Sequence, residues 1–362
     1  MQPVDADNVV DYLHSAGHLD PSIPAEVEWL AWGVSNVVLR VHPETGDDVV
    51  LKQSRSQLRT EAAWFSRLDR IWREIDLMRV LATLLPRGAV PQILFEDRDN
   101  YLFGMQAVDD GHVVWKEDLL NGKFDPAVAV ALAGFLSTIH RETAGNDQFA
   151  DQFSDREVFV QLRVDPFYRR IAEVHAEIEP YVSNMVDEMF ETAVCIVHAD
   201  FSPKNILIAP NRRAADGWQL TLVDYETGHF GDPAFDLGFF LSHLALKAVY
   251  HGRRGRDVLA LAQTFWNAYV GGLGSRDRSD AFAQPELQRR AVSHLAGCML
   301  ARIDGTSPVD YLSAPAERDL VRQYCRDLFL NSAESLEEAF TRLEGKISER
   351  REAGDRREYR RK

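Results

Sequence analysis

Apolar and polar positions follow two different periods along the chain, and the change falls near residue 106. Before it, β-branched and aromatic runs at 27–30, 37–41, 49–52, 92–95 and 101–103 predict strands. Gly33, Pro43 to Asp47 and Asp97 to Asn100 supply turn chemistry between them. One helical pattern interrupts the strands, with Leu68, Ile71, Ile75, Met78 and Leu81 spaced at i, i+3/i+4. Beyond residue 106 the pattern predicts helices over 127–140, 158–178, 180–190, 235–250, 257–270, 285–302, 316–330 and 335–343. Short strands are expected among them at 194–197, 206–208 and 220–223. The order implies an α+β chain with two lobes, one small and β-rich with a single helix, one larger and mostly helical. The expected divisions are a helical extension over 1–25, the small lobe over 26–106, the larger lobe over 107–345 and a charged tail over 346–362.

Composition narrows the partners. The 362-residue chain has 41 Lys+Arg against 56 Asp+Glu, a net charge of −15, which argues against general nucleic-acid binding. Only the tail departs from this, with eight basic and four acidic residues from Lys346 to Lys362; a solvated helix end fraying into disorder is expected there. Cys195, Cys298 and Cys325 are widely spaced, so neither a disulfide framework nor a cysteine zinc site is expected. The apolar stretch 127–136 is far short of the roughly 20 residues that span a bilayer. The opening Met1-Gln2-Pro3-Val4-Asp5 lacks the features of a secretory signal. The expectation is a cytoplasmic chain with no nucleic-acid or membrane partner, and homodimerisation stays open.

The sharpest chemistry lies in His198-Ala199-Asp200-Phe201-Ser202-Pro203-Lys204-Asn205. It matches the H-x-D-x-x-x-x-N catalytic loop of the kinase fold and falls between two short strands. Phosphoryl transfer needs a carboxylate to orient the acceptor hydroxyl and take its proton, a role for Asp200. It also needs a neutral oxygen ligand for Mg²⁺, a role for Asn205. Asp224 follows an apolar strand, where the metal-binding Asp of D-F-G is expected, and Glu226 replaces the glycine and offers a second carboxylate for metal. Gly231-Asp232-Pro233-Ala234-Phe235-Asp236-Leu237 then opens a helix, with Asp236 placed to accept hydrogen bonds from the loop backbone.

Three features of the small lobe complete a nucleotide site. Gly33, Ser35 and Asn36 lie between two strands, where backbone N–H groups can cover phosphates. Lys52 ends a strand and matches the lysine that pairs ATP phosphates; Glu74 is its expected partner, with Glu61 as the alternative. The segment 101–107, including Met105 and Ala107, is the expected hinge whose backbone meets adenine.

On Gly33 to Asn36, Lys52, the Arg73-Glu74 helix, the HADFSPKN loop, Asp224-Tyr225-Glu226 and GDPAFDLG, the chain resembles the aminoglycoside phosphotransferase/choline kinase superfamily, and within it the methylthioribose kinase-like members. The resemblance covers 27 to about 315 and implies a protein-kinase-like fold, ATP and Mg²⁺ as cofactors, and a small-molecule hydroxyl as acceptor. It also implies a substrate-binding helix around 296–305 with two adjacent arginines; here Ala301 takes the first place and Arg302 the second. Arg302 therefore has two readings, a donor fork for substrate oxygens or a snorkelling side chain with an internal partner. Two other functions stay in view. A protein kinase needs a long activation segment, yet only 11 residues separate Asp224 from Asp236 and no A-P-E follows. A non-catalytic nucleotide-binding protein would usually lack one of Asp200, Asn205 and Asp224, all of which are present.

Overall fold

A computed structural model describes residues 2–30, 36–57, 65–211, 214, 216–274 and 282–359, with side chains to 350. The chain forms two compact units, Met1–Val113 with Ile206–Thr227, and Val114–Asn205 with Gly228–Lys362.

The first unit is built on a five-stranded antiparallel sheet of order β1-β2-β3-β5-β4. Its strands are β1 (Ala25–Trp29), β2 (Asn36–Pro43), β3 (Val49–Ser54), β4 (Ile93–Asp97) and β5 (Leu102–Gln106). Side chains alternate across a strand, so Val37, Leu39 and Val41 of β2 join Leu51 and Leu102 in one core. The amino-terminal helix α1 (Val9–Ser15) covers it with Val9, Tyr12 and Leu13. Val4, Val9, Tyr12, Leu13 and Leu19 of the amino-terminal segment are thus part of the sheet's packing. Leu51 enters this core, so Lys52, the next residue in the pleat, turns to the opposite face. Helix α2 (Arg70–Leu84) follows β3 and buries Ile71, Ile75, Met78 and Leu81 at the predicted spacing. The hairpin of Ile206–Pro210 and Trp218–Leu222 belongs to the same unit. It is tied there by Leu222 N–H to Ala89 O and Thr221 Oγ1 to Gly88 O, each 2.8 Å.

The second unit is mostly helical, giving the mixed α+β architecture its larger part. The helix Pro233–His251 is buried continuously from Pro233 to Val249, as an all-round apolar pattern requires. Asp232 caps it by accepting from Ala234 N–H at 2.9 Å, and Pro233 stands at its first position. The neighbouring helix Gln284–Asp304 comes so close that a Cβ on Gly238 would lie 2.4 Å from His294 Cβ and 2.7 Å from Leu295 N. That approach explains the last glycine of GDPAFDLG.

Two segments depart from the simple helical expectation. The stretch read as one helix over 158–178 holds a π-helix, Val160–Arg169, with Pro166 inside it. Proline has no N–H to return to the carbonyl four residues earlier, and that carbonyl, Leu162 O, accepts from Arg163 NH1 at 2.7 Å. At the other end, the helix begun at Leu336 continues to Tyr359, through most of the segment expected to fray. No helix among the described residues is long and apolar enough to cross a membrane.

Candidate active site

In the first unit the sheet and α2 bring Asn36, Lys52, Arg70 and Glu74 into the interior, where Asp224 and Glu226 meet them. Lys52 Nζ donates to Glu74 Oε1 at 2.8 Å and to Asp224 Oδ1 at 2.7 Å. Glu226 Oε2 accepts from Arg70 Nε and from Asn36 Nδ2, both at 2.9 Å. Arg70 also reaches Asn36 Oδ1 at 3.1 Å. Oxygens of Glu74, Asp224 and Glu226 lie within 4.8 Å of one another. Three carboxylates this close repel unless cations stand among them, and Lys52 and Arg70 supply two. Burial lowers the Lys52 ammonium, but Asp224, Glu74 and Glu226 together hold it above its ordinary value. Burial pushes the Glu74 carboxyl up to about 7, against the pull of Lys52. Its Oε1 also accepts the Tyr225 N–H at 3.1 Å, and its buried Oε2 makes no hydrogen bond.

Asp224 holds a left-handed backbone, φ 70°, two residues past the strand end at Leu222. Such a conformation costs a non-glycine residue about 1–2 kcal/mol and is kept where the surroundings demand it. Of the other residues expected here, Gly33 and Ser35 lie outside the described residues, as does Glu61. Met105 sits in β5 opposite Val50. The Ala107 N–H donates to Asp48 O at 3.3 Å. Ala107 also borders a cavity of about 1040 Å³ with Met78, Gly88, Gln92 and Thr221. Lys52, Glu74, Met105 and Asp224 do not line that cavity, so it is a separate feature from the carboxylate cluster.

In the second unit the His198–Asn205 loop is fixed from beneath by Asp236, whose carboxylate accepts the N–H groups of His198 and Ala199 at 2.7 Å each. His140 Nε2 lies 3.2 Å from the same carboxylate. Burial would raise the Asp236 pKa, but the His140 and loop hydrogen bonds hold it below the usual range. Ala199, like Asp224, is left-handed, at φ 60°. The loop then places Asp200, 2% exposed, beside two cations and one amide donor, with no hydrogen bond to Oδ1 among the described residues. Arg163 NH2 lies 2.7 Å from Oδ1, Lys204 Nζ 2.9 Å from Oδ2, and Asn205 Nδ2 2.8 Å from Oδ2. Asn205 Nδ2 also donates to Asp200 O at 3.0 Å, which turns the amide oxygen away from that carboxylate.

The structure thus gathers Asn36, Lys52, Glu74, Asp224 and Glu226 in one unit, and Asp200 and Asn205 in the other. Arg302 stands on Gln284–Asp304, partly buried, its NH1 donating to Ser307 Oγ at 3.1 Å. No carboxylate pairs with it among the described residues, and Asp200 is among the charges that act on it. Sequence reasoning passed over Arg163, Arg70 and Lys204. Lys204 stood inside the quoted loop, four residues past Asp200. Arg163 had one usable signal, Pro166 inside a helical run, because π-segments often mark functional sites.

Residues 26–282 match the family described as Phosphotransferase enzyme family. The chain is 23% identical over 321 residues to a methylthioribose kinase of Pectobacterium atrosepticum, an alignment covering 77% of this chain and 78% of that one. It is 21% identical over 391 aligned positions to a methylthioribose kinase of Yersinia enterocolitica, covering 94% and 95%. Among solved structures it is similar to a choline/ethanolamine kinase family protein from Mesorhizobium loti, with a TM-score of 0.51, 16% identity and coverage of 93% and 98%. The GDP complex of an aminoglycoside 2′-phosphotransferase gives a TM-score of 0.51 at 15% identity, covering 95% and 98%. These two likenesses concern the fold, an N-terminal sheet region followed by a mostly helical region. The family match, by contrast, spans well over half the chain. The chain belongs to the phosphotransferase enzyme family and is a small-molecule phosphotransferase.

Proposed function

We propose that the chain transfers the γ-phosphoryl group of ATP to a hydroxyl of a small molecule, with Asp200 as the general base. The observation that carries this reading is the bracing of Asp200. Asn205 donates to Oδ2, Lys204 and Arg163 pair with the carboxylate as ions, and the buried Oδ1 is left without a hydrogen bond among the described residues. A base must sit within hydrogen-bond reach of the proton it takes, and these contacts fix its direction before substrate arrives. Lys52, held between Glu74 and Asp224, is the cation for the ATP phosphates. Gly33 and Ser35, with Asn36, form the proposed phosphate loop, and the backbone at Met105 and Ala107 the proposed adenine hinge.

The carboxylate cluster suits a hard divalent cation. Fully ionised, Glu74, Asp224 and Glu226 outnumber Lys52 and Arg70 by one charge, and all their donors are oxygens. We assign Asp224, Asn205 and Glu226 as Mg²⁺ ligands. Glu226 contributes through whatever capacity Arg70 and Asn36 leave it. Bound Mg²⁺ neutralises charge on the phosphates. Within the protein, Asp236 fixes the loop, Arg163 orients Asp200, and Asp200 receives the acceptor's proton.

The methylthioribose kinase relatives support a small hydroxylated acceptor, and Arg302 is the residue we assign to it. The reading is tested by measuring Mg²⁺-dependent ADP release with a panel of small alcohols. Acceptor-stimulated release in the wild type, absent in Asp200→Asn, is expected. Stimulation that persists unchanged in the variant removes Asp200 from the role of base.

A further inference from the structure

Nucleotide handling leaves one cluster in the second unit unexplained. Lys247, on Pro233–His251, is 1% exposed, and its ammonium makes a single 3.4 Å bond, to the His243 carbonyl of its own helix. No carboxylate pairs with it among the described residues. Its Nζ lies 5.3 Å from the centroid of the Tyr311 ring, and Lys116 Nζ lies 5.9 Å from the same ring. Buried beside them, Arg302 Nε, Tyr311 Oη and His243 Nε2 have no hydrogen-bond partner among the described residues. The carboxylate that pairs with Lys116 among the described residues is Asp310 at 3.6 Å, a side chain 82% exposed.

Buried charges are normally paired, and an unpaired one costs several kcal/mol. Burial, then Lys116 and Arg302, bring the Lys247 ammonium down to about 7. Burial, then Lys247 and Arg302, hold His243 well below its ordinary value. What the cluster lacks is an anion.

Its position relates it to Asp200. The guanidinium groups of Arg302 and Arg163 lie 5.9 Å and 5.8 Å from the centroid of the Phe167 ring. Arg163 in turn holds Asp200 Oδ1. We propose that the phosphoryl acceptor is an anionic hydroxy compound, its oxyanion bound by Lys247, Arg302 and the Tyr311 hydroxyl while a hydroxyl of the same molecule meets Asp200. This rests on the reading of Asp200 as base. A cationic amino alcohol would face like charges here, and a neutral sugar would leave Lys247 uncompensated. A carboxylate and a phosphate ester offer the same oxyanion chemistry, and guanidinium and ammonium groups take both.

The test is calorimetric titration of the full chain, without nucleotide, at constant ionic strength. The probes are acetate and glycerate, then inorganic phosphate and glycerol 3-phosphate, with choline and glycerol as cationic and neutral controls. Saturable binding of one oxyanion pair and of neither control is expected, and the pair that binds names the source. Affinity should fall about tenfold in Lys247→Met and about threefold in Tyr311→Phe, with melting temperatures held or raised. If Lys247→Met does not fold, Tyr311→Phe, which keeps the ring, decides. The proposal is overturned if no oxyanion saturates, or if the variants bind like the wild type. Turnover separates the two readings. Saturable oxyanion binding with no ATP-dependent phosphorylation of any alcohol, anionic, neutral or cationic, defeats the kinase assignment and leaves the oxyanion site standing. Phosphorylation of a neutral or cationic alcohol with the same KM in Lys247→Met defeats the anionic-acceptor proposal alone.

Discussion

Asp236 Oδ1 accepts the N–H of Ala199 at 2.7 Å, and so holds a residue at φ 60° one position before the proposed base. The second oxygen takes the His198 N–H at the same distance. Both oxygens are therefore needed as acceptors. Asp236→Asn places an NH₂ against one of the two N–H groups, and an unsatisfied buried donor costs about 1–3 kcal/mol. Urea unfolding should show that loss, and kcat should fall with little change in KM for ATP. An unchanged midpoint and unchanged kcat would remove Asp236 from both tasks.

Asp200→Asn tests the base by itself. The carboxylate is proposed to meet the acceptor and not the nucleotide, so kcat should fall by about 10²-fold or more while ATP affinity stays close to wild type. Nucleotide titration and steady-state kinetics on the same preparation give the comparison. A matching fall in ATP affinity would point to a structural role.

For the metal, Asp224→Ala should abolish the gain in ATP affinity that Mg²⁺ confers, because Mg²⁺ takes few protein oxygens and each one counts. Calorimetry with and without Mg²⁺ reads this directly. A full Mg²⁺-dependent gain in the variant would show that Asp224 is not a ligand.

Stability of the larger unit should depend on Arg290. Its Nε and NH2 lie 2.8 Å and 3.2 Å from the Asp232 carboxylate, which also caps Pro233–His251. Arg290→Ala leaves a buried carboxylate uncompensated, at a cost of about 3–5 kcal/mol. The midpoint of chemical unfolding should drop accordingly. A loss below about 1 kcal/mol would mean that solvent reaches Asp232.

Lys247 predicts a pH dependence of stability. It faces Lys116, Arg302, Tyr311 and Asp310 from neighbouring elements, and His243 from its own helix. Its pKa is lowered to about 7 in the folded chain, against about 10.4 in an unfolded one. Between those values the unfolded state binds the extra proton, so stability from this group rises as pH increases across that window and is lost as pH falls through about 7. Unfolding midpoints at pH 7 and pH 9.5 should diverge less in Lys247→Met than in the wild type, and the variant should be the more stable at pH 7. Equal slopes would show that Lys247 titrates normally.

Local chemistry alone determined much of this protein. Alternating β-branched residues set β2 and β3, the Ile71 to Leu81 spacing set α2, and Asp232-Pro233 marked the start of a helix, because each signal acts over one or two turns of backbone. The His198 to Asn205 spacing placed Asp200 and Asn205 on one loop for the same reason. Partnerships between distant residues were another matter. Nothing local to Arg70 distinguishes it from a solvated arginine, and Arg163 has only the nearby Pro166 to mark its segment; they meet Asp200 and Glu226 only because a π-segment and the start of α2 are packed against those carboxylates. Lys247 shows the same limit most sharply. Its sequence neighbours are apolar, and only the packing of the helix Gln284–Asp304 and of Tyr311 around it makes its charge buried and unpaired. Burial and charge pairing are sums over contacts from the whole fold, so tertiary structure alone decides them.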